Sequence, residues 1–281
     1  MREVFVLDRQ VVHRGKDFFG RKAWIQLKPR FRGGPNTWSW KASYTTGGTH
    51  EIRPEIVRTR GHRTELTDGK RNLSVFEHVG PLRFFPLVGD LEITATSWPP
   101  YDGRAIGLWS AVKPACRVEA VDVPLYTVAK PVWHEYKKMR GGQKAFTQIL
   151  PADSDELVLD ITRSFSGIGT YQKTFHFPNS RLLEEVCMAK TLGNPDWLYY
   201  LSSALSAVSN WPHHKSVLWP QENETADLLR GIVWHAALDT LGSLNLLCRD
   251  GYFIGRVTSV CSGHEGDTGA VMKANQCLVR V

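Results

Sequence analysis

Hydrophobic and polar residues alternate over several short segments of the chain. Residues 23–28 alternate, and residues 37–41 do so again after a Gly-Gly-Pro-Asn segment at 33–36 that is typical of a turn. We therefore predict two strands that form a hairpin. A further strand is predicted at residues 91–96.

Two shorter segments have the features of helices. The first covers residues 72–85, where Asn72 or Ser74 would cap the helix, and the second covers residues 179–189. Further strands are predicted in the second half of the chain, at 157–161, 171–177, 252–257 and 277–281.

The longest helical segment runs from residue 224 to residue 247, and Thr225 can cap its start. Four residues share one face of this helix because they recur at steps of four, three and four: Leu228, Ile232, His235 and Asp239. Strands and helices thus occur in both halves of the chain without regular alternation, and this predicts an α+β fold.

Residues 121–131 are extended and interrupted by prolines, which is typical of a crossing between domains. A chain of 281 residues is long enough for two domains. We predict an N-terminal α+β domain at residues 1–122 and a C-terminal α+β domain at residues 123–281. The two halves show no repeat that is legible as sequence identity.

The composition is that of a globular protein, with 42% hydrophobic and 22% charged residues, and it excludes disorder, collagen and coiled coil. The net charge of +7 suits an anionic substrate, a membrane surface or nucleic acid. The basic residues are scattered in short groups, which is typical of a solvated surface, and we expect no nucleic-acid partner.

Cysteine usage and the N-terminus bear on the cell compartment. The five cysteines form an odd set without a C-x-x-C pair, so we expect reduced thiols. The first residues show no secretory signal, and no apolar run approaches the ~18 residues that a membrane helix needs. We expect a cytoplasmic protein without a transmembrane segment.

Three short motifs carry residues that suit hydrolytic chemistry. Glu77 and His78 are adjacent, and His235 and Asp239 are four residues apart, so that an imidazole and a carboxylate lie on one helix face. His264 follows Ser262-Gly263 in what we predict to be a glycine-rich loop after a strand. Taken singly, each motif also fits an ordinary structural role.

The order of these motifs resembles the zinc-dependent UDP-3-O-acyl-N-acetylglucosamine deacetylase family of bacterial lipid A biosynthesis. The family motifs T-V-E-H, M-D-G-S-A, R-T-F-G-F, H-K-x-x-D-x-x-G-D and S-G-H resemble, in that order, residues 74–78, 101–105, 173–177, 235–243 and 262–264. The resemblance implies two α+β domains, each a two-layer sandwich of helices on a sheet, with the metal site in the cleft between them.

The resemblance also implies roles for individual residues. One Zn²⁺ would be held by His78, His235 and Asp239, a ligand set that also accepts Fe²⁺ or Co²⁺. Glu77 would act as general base, and His264 would stabilise the oxyanion and protonate the departing amine. The remaining implied contacts are a second donor at Thr174 and substrate contacts at Lys173 and Phe175.

Several departures from the family pattern concern the substrate. Ala236 replaces the family's phosphate-facing lysine, and Asp267 and Glu265 add negative charge to the segment after His264, which would repel a diphosphate. The histidine of the family's N-terminal G-L-H-x-G segment is also missing, since Phe18 or Phe19 precedes Gly20. These departures favour a different N-acylated amino sugar or amine, whereas the family as a whole favours the lipid A precursor.

One departure concerns catalysis. Ser243 stands where the family has the acidic residue that orients the histidine corresponding to His264. We hypothesise that Asp267 or Glu265 takes over this role, since both lie within three residues of His264. A non-catalytic metal-binding relative is the alternative. Residues 191–224 are rich in aromatic residues, and we predict either an acyl-chain passage or a core helix there.

Overall fold

A computed structural model of the chain describes residues 1–17, 19–30, 37–42, 48–60, 63–100, 104–136, 144–165, 169–192, 200–204 and 217–281. The predicted turn at 33–36, Phe18, residues 101–103 of the second motif and most of the aromatic segment after residue 192 lie outside these ranges. Within the described part of that segment, residues 200–204 are helical.

The first part of the fold consists of strands that form three sheets. Their bounds are β1 Arg2–Leu7, β2 Val11–Lys16, β3 Lys22–Pro29, β4 Trp38–Ala42, β5 His50–Glu51, β6 Val57–Thr59, β7 Thr64–Thr67, β8 Asn72–Leu73, β9 Leu87–Val88, β10 Leu91–Ala95 and β11 Cys116–Val121. The strand orders are β11-β1-β9, β2-β3-β10-β4-β5 and β6-β7-β8.

The second part also forms three sheets. Its strands are β12 Leu125–Val128, β13 Val132–Tyr136, β14 Ala145–Leu150, β15 Leu157–Phe165, β16 Gly169–Phe177, β17 Thr191–Leu192, β18 Val217–Leu218, β19 Tyr252–Phe253, β20 Gly255–Val260 and β21 Leu278–Arg280. The strand orders are β19-β12-β21, β13-β14-β20-β15-β16 and β17-β18.

Helices accompany both sets of strands. The α-helices whose full bounds fall within the described ranges are α1 Ile106–Val112, α2 Ser180–Cys187, α3 Thr225–Leu244 and α4 Gly263–Asn275. The 3-10 helices are Pro54–Ile56, Phe76–His78, Gly80–Phe84, Lys113–Ala115, Pro220–Glu222 and Asn245–Leu247. Within the described ranges, no helix has both the length and the apolar character needed to cross a membrane.

The same strand arrangement occurs twice along the chain. In each five-stranded sheet the last strand in sequence, β10 or β20, lies in the centre, antiparallel to the second strand and parallel to the third. In each of two small sheets the first strand, β1 or β12, pairs with the last one in antiparallel fashion. The strand topology is therefore repeated in the two halves of the chain, although the sequences of the two halves show no recognisable identity.

The α+β class that the sequence predicts is confirmed, and most of the predicted strands coincide with strands of the fold. The predicted hairpin between 23–28 and 37–41 is wrong, because β10 lies between β3 and β4 and pairs with both. Leu91 and Ile93 of β10 are fully buried, so this strand gains more apolar burial in the centre of the sheet than at an edge. The boundary at residue 122 stays a prediction.

The predicted helix at 72–85 is also wrong, since β8 and two short 3-10 helices occupy this segment. Val75 adopts a left-handed conformation with φ of 52°, which a continuous α-helix excludes. Pro81 then lies in the first turn of the second 3-10 helix, which begins at Gly80. Neither Asn72 nor Ser74 caps a helix, because Asn72 lies in β8 and the Ser74 hydroxyl donates to Glu65.

Helix α3 confirms the longest predicted helix and lies at the centre of the molecule. It packs against β15, β16, α2 and α4, and also against the 3-10 helices at 76–78 and 80–84. Because it is covered on several sides, most of its residues from Leu228 onward are buried. Its N-cap is Glu224, without a side-chain hydrogen bond, so the predicted capping by Thr225 is wrong.

The glycine-rich segment after β20 is a helix rather than the predicted loop. His264 lies in the first turn of α4, and the glycines that suggest a loop permit close packing instead. A Cβ atom at Gly269 would lie 2.4 Å from Nε2 of His134, and one at Gly266 would lie 1.9 Å from the Ser262 hydroxyl. Because glycine has no Cβ atom, Gly269 can pack closely against the His134 ring and Gly266 against the Ser262 side chain.

Candidate metal and catalytic centre

Two elements that are far apart in sequence bring the predicted ligands together. His78 ends the 3-10 helix at 76–78, and His235 and Asp239 lie one turn apart on α3. Gly242 allows the contact between the two elements, since a Cβ atom there would lie 2.4 Å from the Glu77 Cα. The absence of a side chain at residue 242 thus places α3 directly against the backbone that carries His78.

The ligand cluster consists of His78, His235 and Asp239, all of them buried. One ligand atom from each residue lies within 4.8 Å of the other two. The two imidazole rings meet edge to face with centroids 5.3 Å apart, and Nε2 of His235 lies 3.5 Å from Oδ1 of Asp239. Two imidazoles and a carboxylate in this arrangement are typical of a catalytic zinc site with a free coordination position.

An unsatisfied oxygen indicates that the ligand cluster fits a metal. Oδ1 of Asp239 is buried and accepts no hydrogen bond from the described residues. A buried carboxylate oxygen without a donor is costly in free energy unless a cation compensates it. The donor set of the ligand cluster therefore suits Zn²⁺, and also Fe²⁺ or Co²⁺.

The protonation states of the ligand cluster agree with metal binding. Burial, together with the neighbouring His235 imidazole, lowers the pKa of His78 to about 3, so this side chain is neutral at pH 7. Burial acts to raise the pKa of Asp239, but the neighbouring imidazoles, above all His235, outweigh it and hold the pKa below its usual value. A neutral imidazole and an ionised carboxylate are the forms that bind a metal.

Glu77 lies beside the ligand cluster and is 2% exposed. The backbone N–H of Thr64 donates to Oε2 of Glu77 over 2.9 Å, which fixes the carboxyl group. Burial raises the pKa of Glu77 well above its usual value, and the charge of Asp239 acts in the same direction. A carboxylate with a raised pKa next to a metal position is suited to accepting a proton from water.

His264 completes the centre from a third element. Its Nε2 lies 3.5 Å from Oδ2 of Asp239, and its Nδ1 lies 3.4 Å from the Thr64 hydroxyl. Glu77, Asp239 and His264 form a second group whose polar atoms lie within 4.8 Å of one another. The predicted base and the predicted acid therefore both lie next to the carboxylate of Asp239 and close to each other.

Asp267, one of the three predicted partners of His264, contacts other groups. It is 1% exposed, and its Oδ1 accepts hydrogen bonds from Thr147 and Ser259 over 2.6 and 2.9 Å. Its Oδ2 accepts a hydrogen bond from the Thr240 hydroxyl over 2.8 Å. The Asp267 carboxylate thus points into the protein and is engaged by three hydroxyl groups, and the expected repulsion of a diphosphate by this residue stays a prediction.

The other two predicted partners also lie in different surroundings. Glu265 is exposed and accepts a hydrogen bond from Tyr136 over 2.9 Å. Ser243 is fully buried, and its hydroxyl lies 3.5 Å from that of Thr268. The carboxylate that the structure places beside His264 is that of Asp239.

The remaining predicted site residues lie on β16. The Thr174 hydroxyl donates to Oδ1 of Asp160 over 2.7 Å. Lys173 is exposed, and its ammonium group lies 5.9 Å from the ring centre of Trp234. Phe175 has no exposed surface and contacts the Trp234 ring edge to face, so it contributes to the core in this structure.

Sequence reasoning missed two residues of the centre. Thr64 contacts both Glu77 and His264, but a single threonine in a strand carries no sequence signal. Arg163 is buried and donates to the Ser259 hydroxyl over 3.2 Å, next to Asp267. The sequence offers one signal for the buried charge of Arg163, which is the presence of an arginine within a nine-residue strand.

Comparison with known proteins gives one family. The family model of UDP-3-O-acyl N-acetylglycosamine deacetylase, LpxC, matches residues 10–274, which is nearly the whole chain. No curated protein matches the chain.

Proposed function

The chain belongs to the UDP-3-O-acyl N-acetylglycosamine deacetylase (LpxC) family, and on this basis we propose that it is a zinc-dependent amide hydrolase. Its substrate in this proposal is an N-acylated amino sugar or a related amine, from which it removes an acetyl or other acyl group. The observation that carries the proposal is the position of Glu77 and His264 beside the ligand cluster, with one polar atom of each within 4.8 Å of the other and of Asp239.

We assign the metal to His78, His235 and Asp239. When bound, Zn²⁺ supplies a Lewis acid that polarises the amide carbonyl and lowers the pKa of a water molecule. Imidazoles bind a metal in their neutral form, so this set of one carboxylate and two imidazoles would leave a net positive charge on a divalent ion. The same ligands would also accept Fe²⁺ or Co²⁺.

Glu77 is the general base in this proposal. Its carboxylate is held by the Thr64 N–H and its pKa is raised by burial, so its ionised form is a stronger base toward water than an exposed carboxylate. Since Glu77 and His264 both lie beside Asp239, they can act on the same amide: Glu77 holds the proton taken from water, and His264 gives a different proton to the nitrogen that leaves. Proton exchange with solvent then restores the ionised Glu77 and the protonated His264.

His264 is the acid. In its protonated form the imidazole stabilises the negative charge on the carbonyl oxygen and then donates its proton to the departing amine nitrogen. The Thr64 hydroxyl near Nδ1 orients the ring. The hydroxyl hydrogen of Thr174, the second predicted donor, is engaged by Asp160, so we give the oxyanion contact to His264.

The second part of the proposal concerns the identity of the substrate. Ala236 on α3 supplies no charge where the family pattern has a lysine, and this supports a substrate other than the lipid A precursor. The exposed carboxylate of Glu265 acts in the same direction. Asp267 does not support a substrate other than the lipid A precursor, because its carboxylate is buried.

Release of free amine by the zinc-loaded full chain tests the reaction class. N-acetylglucosamine derivatives with and without a UDP group serve as substrates, and Glu77→Gln serves as the inactive reference. Loss of the base should lower kcat by about 10²–10⁴-fold while the metal stays bound. Equal turnover by the wild type and Glu77→Gln would contradict the proposed role of Glu77.

Ser243 favours a second candidate function, a non-catalytic protein that binds metal and an acylated sugar. The Ser243 hydroxyl contacts Thr268 and supplies no negative charge to the centre. This candidate predicts one metal ion and sugar binding, with no amine release above the Glu77→Gln background. The proposed hydrolase predicts release well above that background.

A further inference from the structure

A polar cavity of about 420 Å³ lies where elements from both halves of the chain meet. The first half contributes the start of β4, residues 51–55 and Arg83, and the second half contributes Tyr126, the 3-10 helix that follows α3 and the end of α4. The described part of the wall contains no residue of the ligand cluster, and neither Glu77 nor His264. A cavity of this volume can hold a small molecule.

The cavity lies at the opposite end of α4 from His264. His264 is in the first turn of α4, and Asn275, which lines the cavity, is the last residue of the helix. At 1.5 Å per residue the two positions are ~16 Å apart along the helix axis. On the side of α3 the cavity begins at Asn245, beyond the C-terminal end of the helix, whereas Asp239 lies more than one turn earlier. The cavity is therefore a site separate from the metal position.

Arg83 places a positive charge in the wall of the cavity. The residue is 2% exposed, and its guanidinium carbon lies 4.8 Å from the centre of the Trp38 ring. The guanidinium group also donates a hydrogen bond to the backbone carbonyl of Arg249. Burial lowers the pKa of Arg83, but an arginine stays protonated at neutral pH. The fold thus holds a cation in a fixed position beside the cavity.

Asn245 adds a buried amide to the same wall. It is 6% exposed, and its side-chain amide makes no hydrogen bond to another residue in the described part of the chain. Polar groups that are buried to this degree normally have a hydrogen-bond partner. A molecule in the cavity would supply one.

Asp250 supplies negative charge. Its Oδ1 accepts a hydrogen bond from the Tyr126 hydroxyl, which orients the carboxylate. Burial and this hydrogen bond raise the pKa of Tyr126, so the hydroxyl keeps its proton at neutral pH. The neighbouring residue, Arg249, adds a second positive charge, and its Nη2 donates to Oδ1 of Asn275 over 3.4 Å. Groups of opposite charge therefore lie close together in this wall.

The charges of the described wall residues balance. The charged residues are Arg53, Arg83, Arg249, Glu51, Glu55 and Asp250. Arg53 and Glu51 form an exposed ion pair with each other, and Glu55 is exposed, whereas Arg83 is buried and Asp250 is half-buried. A ligand with a single charge would be attracted by one set of groups and repelled by the other. A ligand with both charges can pair with both sets.

We propose that this cavity binds a small zwitterion of the size of an α-amino acid, with its carboxylate at Arg83 and Arg249 and its ammonium group at Asp250. Hydrogen bonds between ionised groups are stronger than neutral ones, and burial reduces screening by solvent. The Asn245 amide bonds to a polar atom of the same molecule. The inference does not depend on the proposed function, because the site lies outside the metal centre.

Calorimetric titration of the zinc-loaded full chain tests the inference. The probes are two zwitterions, L-phenylalanine and L-glutamine, since the wall holds both apolar and amide side chains. Each is compared with an analogue that lacks the ammonium group, 3-phenylpropanoate or glutaramate. Each is also compared with an analogue that lacks the carboxylate, 2-phenylethylamine or 4-aminobutanamide. These analogues keep the side chain and add no bulk.

Two variants change the wall without removing a fully buried group. Asp250→Asn removes the negative charge and keeps an oxygen that can accept from Tyr126. Arg249→Gln removes an exposed positive charge and keeps the backbone carbonyl that accepts from Arg83. Asp153→Asn is the control, since it removes an exposed carboxylate that lies outside the wall.

We expect at least one zwitterion to bind about tenfold more tightly than both of its analogues. Asp250→Asn should abolish the advantage over the analogue without the ammonium group, and Arg249→Gln should reduce the advantage over the analogue without the carboxylate. Asp153→Asn should leave both advantages intact.

Two results would overturn the inference. One is that neither zwitterion binds more tightly than its analogues. The other is that Asp250→Asn and Arg249→Gln both keep the full preference, because the zwitterion would then bind elsewhere, for instance at the zinc ion through its amine and carboxylate.

Discussion

The Thr240 hydroxyl donates a 2.8 Å hydrogen bond to Oδ2 of Asp267, and this bond joins α3 to α4. Thr240 follows the predicted metal ligand Asp239, and Asp267 lies one helical turn after His264. The other oxygen of Asp267 accepts from Ser259, which in turn accepts from the buried Arg163. Asp267 thus connects α3, which carries His235 and Asp239, to α4, which carries His264.

Asp267→Asn should weaken this connection. The amide keeps the size of the side chain but replaces one acceptor oxygen with a donor that faces hydroxyl groups, and it removes the negative charge near Arg163. We expect a loss of about 1–3 kcal/mol in the free energy of unfolding. We also expect kcat to fall while KM changes little. Urea denaturation and steady-state kinetics measure these effects.

Glu265→Gln is the matched control for Asp267→Asn, since both residues lie on α4 and Glu265 is exposed. Its hydrogen bond from Tyr136 lies at the surface and should contribute little to stability. If both variants behaved alike, the assigned role of Asp267 would be refuted.

The sequence predicts those parts of the fold and site that depend on local pattern. The four-three-four spacing around His235 predicts α3, and alternation predicts the central strands. The helix predicted at 72–85 is absent because Val75 adopts a left-handed backbone conformation, which hydrophobic periodicity does not specify. The sequence predicts a loop in place of α4 because the segment is rich in glycine, but in the structure these glycines permit close contacts with His134 and Ser262.

Contacts between distant elements have no local signal at all. Thr64 reaches His264 across 200 residues, and Thr147 reaches Asp267 across 120. Such pairs follow from the packing of the sheets, which hydrophobic periodicity does not specify. The ligand cluster was predictable only because several short motifs occur together in the order of a known family.

Thr64→Val tests the orientation of His264. The variant removes the hydroxyl near Nδ1 of His264 but keeps the backbone N–H that donates to Glu77. We expect kcat to fall about tenfold, as one lost orienting hydrogen bond implies, with the metal content unchanged. Thr59 pairs with Thr64 across the strands, so Thr59→Val is the control and should keep full activity. Equal kcat values for the two variants would contradict the role of the Thr64 hydroxyl.

Gly242→Ala tests the close packing beneath the centre. The added Cβ would meet the backbone of Glu77 at 2.4–2.5 Å, so α3 has to move away from His78. We expect a loss of about 1–3 kcal/mol in the free energy of unfolding and weaker zinc binding. Gly107→Ala on α1 meets only ordinary contacts at 3.6 Å and should not lower the stability. Undiminished stability and zinc affinity in Gly242→Ala would refute this packing argument.

The metal-free protein should lose stability in mild acid through His78. The pKa of His78 is about 3 in the fold, against 6.5 for an ordinary histidine. Between these values the unfolded chain binds a proton that the folded chain excludes, so the free energy of unfolding falls as the pH falls. Above pH about 6.5 the imidazole is neutral in both states and has no effect.

Comparison with His78→Asn isolates this contribution. Between pH 7 and pH 5, the wild type in a chelator should lose about 2 kcal/mol more than the variant. Urea denaturation at the two pH values measures the difference. Parallel losses in the wild type and His78→Asn would show that His78 titrates normally in the fold.

Zinc content, measured by elemental mass spectrometry, tests the central claim most directly. The wild type should bind about one zinc per chain. His235→Ala and Asp239→Ala should lose it, whereas His176→Ala, which alters an exposed histidine on β16, should keep it. A wild type that takes up no zinc after reconstitution, or His235→Ala and Asp239→Ala variants that retain it, would contradict the assignment of His78, His235 and Asp239 as the metal ligands.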